Sequence, residues 1–502
     1  MSQLAPLVRA AAADGQTGLA VTDHGNLGAA WKFAKLAKAA GVKPIIGIEA
    51  YLAHGSRLDH RTVLAADDEA LGSGDEEAAA GRKQIKYHHL TVLAATKEGW
   101  RNLAILDAEA HAPEAFWSRP RMDMDLLAEH SSGLIALTGC IGGPVASPLA
   151  AGDPARAEGN LARLHDIFGD RLYVEVMDHG IPGERRVMGQ LIELAKRHGI
   201  PVVATNDSHF VRPDESSAHD AWLCVGNKAH LDDPKRWRFH GEGYWLRTGA
   251  EMHALFDDQP GTEDAVSMTL AIAERIEDNV LPEKVTRLPS VGIDADKVLY
   301  RKVADGAVRR YGAQLPQQVR DRLRYEYDII TRAKLSDYFL IVEDMITWAR
   351  ANGIMVGAAR GSAAGSAVAY CLGIVQVDPI KHGLLFERFL SPDRTGLPDI
   401  DTDFEQAGTA KVFEHLAARW GTDNVARIGT YNFALSQAAL RLAGGVLDAA
   451  PLGAKLAATV PTGGDAGRGS GGCGCCRRDT EGGKDERGSK RCDGTVRGFE
   501  RP

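Results

Sequence analysis

An α/β architecture divided among more than one domain is the fold class this sequence predicts, and three observations predict it. Between about residues 17 and 210, short apolar runs alternate with stretches of helical period. A second region of the same mixed kind begins near residue 295. The chain is 502 residues long, enough for two or more cores, and 44% hydrophobic with 25% charged residues is ordinary for a globular protein.

The elements follow in order. "TGLAVTDHG" reads as a strand and its exit loop, and "NLGAAWKFAKLAKAAG" as an amphipathic helix closed by glycine. "VKPIIGIEAYL", "HLTVLAAT", "GLIALTG", "LYVEVMDHG" and "IPVVATNDSHF" are further strands, with helices such as "ERRVMGQLIELAKRHG" between them. Serial βα units predict a parallel sheet or barrel. Residues 53–86, rich in Gly, Ala, Asp and Glu, interrupt it as a polar surface loop. Residues 211–294 are mixed in character and read as a connector.

Beyond 295, "LPQQVRDRLRYEYDIITRAKLSDYFLIVEDMITWARANG" predicts two helices broken near Lys334–Ser336. "IMVG" is a short strand, "AARGSAAGS" opens a helix, and "GLPDIDTDFEQ" is a strand carrying aspartates. The helix "KVFEHLAARWG" and the strand "NVARIGTY" follow. After Pro461 the chain is nearly free of apolar residues and is expected to be disordered; its composition resembles a translated wrong reading frame. The division expected is 1–210, 211–294, 295–461 and 462–502.

The net charge of −8 argues against a general affinity for nucleic acid, although sites that hold metals between carboxylates add acid themselves. No apolar run is long enough to span a bilayer, and the N-terminus lacks the pattern of a secretion signal, so the reading is cytoplasmic. Cys140, Cys224 and Cys371 are scattered, as in reduced intracellular proteins. Cys473, Cys475, Cys476 and Cys492 crowd the tail without the paired spacing of a zinc site.

Three constellations carry chemistry. His24, Glu49, His89, Cys140, Asp207 and His209 lie at successive strand ends, His89 alone preceding its strand. Imidazole, carboxylate and thiolate together suit zinc, manganese or iron, and such ions activate water against a phosphate ester. Any one of these residues alone is more readily a loop residue meeting solvent or capping a helix; six at successive ends favour metal. The second constellation is "ARGSAAGS", Arg360 to Ser366, where small residues and a helix start suit phosphate. It is not a Walker A sequence, and a tightly packed helix start is its rival. The third is the aspartate strand. Residues two apart face the same way, so Asp401 and Asp403 project together, with Asp399 supporting. Two such carboxylates can hold two divalent ions about 3.5–4 Å apart, and hard oxygen ligands suit magnesium. A solvated acidic edge strand is the alternative.

"ARGSAAGSAVAYCLGIVQVDPIKHGLLFERFLSPDRTGLPDIDTDF" resembles the palm signature of the C-family DNA polymerases, the bacterial DNA polymerase III alpha subunits. "TDHGNLGAAWKFAKLAKAAGVKPIIGIEAY" and "VVATNDSHF" resemble the PHP (polymerase and histidinol phosphatase) domain that precedes that palm. The resemblance runs from about residue 17 to about residue 460, in family order. It implies a PHP-type βα barrel without its first strand, then part of a nucleotidyltransferase-like palm. It implies template-directed transfer of a deoxynucleotide to a primer 3′-hydroxyl. Asp401 and Asp403 match the family's magnesium carboxylates. Arg360, Gly361, Ser362 and Ser366 match its triphosphate loop, and Arg388 and Arg394 match basic residues beside the site. In the PHP part, His24, Glu49, His89, Cys140, Asp207 and His209 match ligand positions for zinc or manganese, in a domain linked to 3′–5′ exonuclease proofreading.

The implied partners are primer-template DNA, deoxynucleoside triphosphates, the sliding clamp and other replicase subunits. The family's His-x-His strand and third catalytic aspartate are expected outside this sequence, as are most of the thumb and the fingers. Gly357, Ala358 and Ala359 replace the Gly-Pro-Gly that usually precedes the loop's arginine. A chain of this extent is expected to be a fragment inactive on its own. The alternatives are a metal-dependent phosphoesterase acting alone, and a non-catalytic product.

Overall fold

The computed structural model describes residues 3–60, 62–64, 84–283, 288–291, 294–391, 398–427 and 434–460. The expected disordered tail, most of the expected polar loop, the core of the strand "NVARIGTY", and Arg394 fall outside them. The chain divides into two units, Met1–Pro282 with Phe433–Pro502, and Glu283–Asn432.

The first unit is built on an eight-stranded sheet. The chain's strands are β1 (Gly18–His24), β2 (Lys43–Ala53), β3 (Val63–Leu64), β4 (Gln84–Ile85), β5 (Tyr87–Ala94), β6 (Phe116–Trp117), β7 (Arg119–Met122), β8 (Leu134–Leu137), β9 (Leu172–Val176) and β10 (Val202–Ala204). The sheet order is β10-β9-β8-β5-β2-β7-β6, and β1 pairs with β2. β3 and β4 form a separate antiparallel pair. Along one edge β2 pairs with β5; along the other it pairs first with β1, up to Glu49, and then with β7 at Tyr51 and Leu52. This is the α/β class expected, its strands among the described residues forming an open path from β10 to β6.

One expectation is corrected. The sheet is mixed, because β5 runs antiparallel to both β2 and β8. Parallel neighbours need a crossover connection, whereas antiparallel ones do not, and among the described residues the chain passes from β4 into β5 through Lys86 alone. Alternating apolar runs do not carry strand direction.

Helices cover the sheet where apolar periodicity predicts them, and their starts follow capping chemistry. Thr96 caps Lys97–Ala110 through its hydroxyl, which accepts the Gly99 N–H at 3.0 Å. Asp153 caps Pro154–Phe168, with proline in the first turn. The core runs from Phe33, Ile46 and Ile48 through Leu90, Leu103 and Ile135 to Phe168 and Val203. It also takes in Phe256, Ile272, Val280 and Leu281, so the region read as a connector shares this core.

The second unit is mainly helical. Ala295–Tyr311, Gln317–Arg332 and Ser336–Ala351 pack around Leu323, Ile330, Phe339, Ile346, Val368, Phe386 and Phe389. The break expected near Lys334 is there, with Lys334 in the left-handed conformation at φ 56°. The aspartate strand is corrected: among the described residues, 398–405 touch "IMVG" through one isolated antiparallel bridge, Val356 to Phe404. Gly357 N–H donates to the Asp403 carbonyl at 2.8 Å, and Glu405 N–H donates to the Met355 carbonyl at 3.1 Å. A ladder needs cross-strand partners on more than one residue, and two exposed aspartates give no apolar face to hold them.

Candidate functional site

Each unit carries one candidate site. In the first, strand register brings distant residues side by side. His24, the last residue of β1, lies opposite Glu49 of β2. One step on, Tyr51 of β2 lies opposite His89 of β5. Glu49 therefore sits mid-strand, where a strand end was expected, and His89 lies within β5, where a position before the strand was expected. Glu49 Oε1 is 2.6 Å from His89 Nδ1 and 3.3 Å from His24 Nδ1.

Cys140 arrives from the loop after β8, its sulfur 3.6 Å from His89 Nδ1. Gly139 makes that approach geometrically available. Its φ is +81°, and a Cβ there would fall 2.3 Å from the His89 carbonyl oxygen. Asp207 and His209 follow β10 and face each other, Oδ1 to Nε2, at 3.0 Å. The His209 ring lies 5.7 Å from that of His24. All six residues thus gather in one place, and the ligand atoms of Glu49, His89 and Cys140 lie within 4.8 Å of one another.

The electrostatics suit a cation. Burial pushes the Glu49 carboxyl up, but the two imidazoles outweigh it and hold the group well below the usual carboxylate range. The Glu49 charge raises His24. Burial lowers His89, yet Glu49 and the Cys140 thiol carry it well above the usual imidazole value. Burial raises the Cys140 thiol. Oxygen, nitrogen and sulfur donors in one pocket are a donor set a divalent transition metal accepts, so these residues fit such an ion.

Sequence reading missed the support behind them. Glu175, on β9, is buried and accepts the Thr205 hydroxyl at 2.6 Å, the Thr91 hydroxyl at 3.1 Å and the Gly139 N–H at 2.9 Å. Burial pushes its carboxyl up to about 7 against those donors. It fixes the loop that presents Cys140. The signal was an acidic residue inside the apolar run "LYVEVM". His179 and Glu184, also buried, pair at 3.0 Å, and the His179 ring stacks on Tyr244 at 4.4 Å.

In the second unit, the Arg360 loop and the aspartates meet. Arg360 Nη1 lies 2.6 Å from Asp403 Oδ1, both side chains being more than half exposed. Gly361 has φ +66° and ψ −157°, and a Cβ there would lie 2.4 Å from Asp401 Oδ2, so glycine alone lets the loop reach that carboxylate. The guanidinium already lodged beside Asp403 shows that a cation is accommodated there. The aspartates are oxygen donors open to solvent, which fits a hard ion that keeps several of its waters. Ser362 is exposed in the turn Ser362–Gly365; Asp399 and Arg388 are exposed as well.

Ser366 stands apart. It is fully buried, accepting the Ala369 N–H at 3.1 Å and donating to Glu326 at 2.8 Å. Its hydroxyl is committed to holding the loop, out of reach of a ligand. Glu326 also receives the Ala367 N–H at 2.9 Å, the Val368 N–H at 3.0 Å and Arg322 Nε at 2.6 Å. The same guanidinium donates to the carbonyls of Gly365 and Leu384 at 2.9 and 3.0 Å. Tyr338, whose hydroxyl accepts the Ile400 N–H at 3.2 Å, tethers the aspartate stretch.

Comparison with known proteins places both units. Residues 1–179 match the PHP domain, and residues 297–470 match the bacterial DNA polymerase III alpha NTPase domain. The DNA polymerase III subunit alpha of Mycobacterium tuberculosis is 41% identical over 454 residues, 88% of this chain. Over most of its length the chain is thus similar to the bacterial DNA polymerase III alpha subunits. The family's member in Treponema pallidum is 40% identical over 89% of the chain, and that in Thermus aquaticus 37% identical over 84%. The chain spans only 37–38% of the length of these polymerase relatives. Among the described residues no helix is long and apolar enough to cross a membrane.

Proposed function

We propose that the chain carries the nucleotide-binding part of a template-directed DNA synthesis site, acting on primer-template DNA and deoxynucleoside triphosphates with magnesium. Asp401 and Asp403 would hold the metal. Arg360, Gly361 and Ser362 would receive the triphosphate, Arg388 and Arg394 would add positive charge for phosphate or template, and Ser366 would position the loop from beneath. The metal, when bound, supplies charge neutralisation for the phosphoryl group. The observation that carries this reading is the meeting of Arg360 and Gly361 with Asp403 and Asp401. Primer extension by the purified chain, with Asp401→Ala as control, tests it. Extension that the substitution abolishes supports the reading; extension that survives it overturns the assignment.

A second reading is favoured by the Glu49, His89 and Cys140 triad. The first unit would act as a zinc- or manganese-dependent phosphoesterase on DNA 3′ ends, His24, Asp207 and His209 completing the ligand set. Metal-dependent shortening of single strands tests it. No extension and no shortening with any divalent ion would overturn both readings. In the wider family setting the expected partners are a sliding clamp and other replicase subunits, in the cytoplasm.

A further inference from the structure

The segment Lys235–Phe239 has neither helix nor strand and reads Lys-Arg-Trp-Arg-Phe, cationic and aromatic residues alternating. It lies within the first unit and ends against the candidate metal centre. The Phe239 ring is 4.6 Å from that of His209, and Trp237 continues the line 5.2 Å beyond Phe239. His209 in turn lies 5.7 Å from His24. Phe239 also packs on Tyr244 at 4.6 Å and on His219 at 5.1 Å, so the inner end of the line is fixed by its neighbours.

The charges along the line are uneven in what they face. Arg236 is spent on structure, with both terminal nitrogens on Asp220 at 2.7 and 2.6 Å. Lys235 and Arg238 are exposed. The nearby Asp233 carboxylate is turned to the Lys235 backbone N–H at 2.8 Å. What remains outward is two cations flanking one half-buried indole, in a row that leads to the histidines.

We propose that Lys235, Trp237, Arg238 and Phe239 form a track for the last nucleotides of an unpaired DNA 3′ end, leading it toward the His24–Glu49–His89–Cys140 centre. Unpaired bases stack on aromatic rings whatever their identity, and cations between the rings take the phosphates. A duplex keeps its bases stacked and offers no free face to Trp237. The proposal rests on the metal-centre reading of the first unit, but it concerns binding and needs no turnover.

Fluorescence anisotropy of a 5′-fluorescein oligothymidylate titrated with the full chain, in EDTA, tests it. Trp237→Ala is expected to weaken binding about tenfold, a typical loss for one stacked base. Trp237→Phe is expected to restore most of it, which a fold defect would not allow. Arg238→Gln is expected to weaken binding and flatten its dependence on salt. Equal affinity of wild type and Trp237→Ala, or equal competition by blunt duplex, would overturn the track. Adding manganese separates this proposal from the hydrolytic reading. Strands bound through Trp237 but never shortened would keep the track and remove the hydrolysis. Strands shortened at the wild-type rate by Trp237→Ala would do the reverse.

Discussion

Glu326→Ala is expected to cost the second unit about 3–5 kcal/mol, the range for removing one partner from a buried charge network. Glu326 is fully buried in the helix Gln317–Arg332. Its carboxylate receives four donors: Arg322 Nε, the Ser366 hydroxyl, and the N–H groups of Ala367 and Val368. Burial raises the carboxyl, and the donors act against that rise. Alanine removes the acceptor of the buried Ser366 hydroxyl and of the buried Ala367 and Val368 N–H groups, at about 1–3 kcal/mol for each group left truly unpaired, while Arg322, part-exposed, keeps its bonds to the Gly365 and Leu384 carbonyls. A domain's whole stability is about 5–15 kcal/mol, so the loss is a large share of it. Glu326→Gln keeps the shape and part of the bonding and is expected to cost less. Hydrogen exchange across residues 317–371 of the full chain checks this, with protection lost there and retained over the sheet. Unchanged protection in Glu326→Ala would sink the assignment.

The second large effect is on metal retention. Glu49→Ala is expected to lower divalent metal affinity by at least about 100-fold, beyond the 10- to 100-fold typical of an outer-shell change. Glu49 is the group that both His24 and His89 face, and it supplies the negative charge of the cluster. Because imidazole must be neutral and the thiol ionised to ligate, retention also weakens as the pH falls. Metal content after dialysis against trace zinc or manganese, and the shift in melting temperature on adding metal, measure it. A variant that keeps its metal and its shift would remove Glu49 from the ligand set.

The sequence displayed its chemistry more readily than its geometry. The α/β class and the strands carrying His24, Glu49 and Glu175 followed from apolar runs, because burial leaves a compositional trace. Strand direction did not, since "HLTVLAAT" reads alike in either sense and only pairing with β2 and β8 sets it. Alternation suggests a strand through Asp401 and Asp403, but a strand is defined by its neighbours, and among the described residues one bridge is all that pairs. Ser366 looked like a ligand because small hydroxyl residues serve phosphate and helix caps equally; its burial against Glu326 decided between them. Glu326 itself was readable in principle. It lies on the apolar stripe Val319, Leu323, Ile330, where an acid marks a buried network.

The most direct measurement of the central claim, that the Arg360 loop and the aspartate pair form one magnesium-dependent nucleotide site, is equilibrium binding of a deoxynucleoside triphosphate to the full chain with and without magnesium. Saturable binding that requires the ion and falls about tenfold or more in both Arg360→Ala and Asp403→Ala is expected, since each removes a charge-assisted contact. Binding indifferent to magnesium, or equal in wild type and both variants, would contradict it.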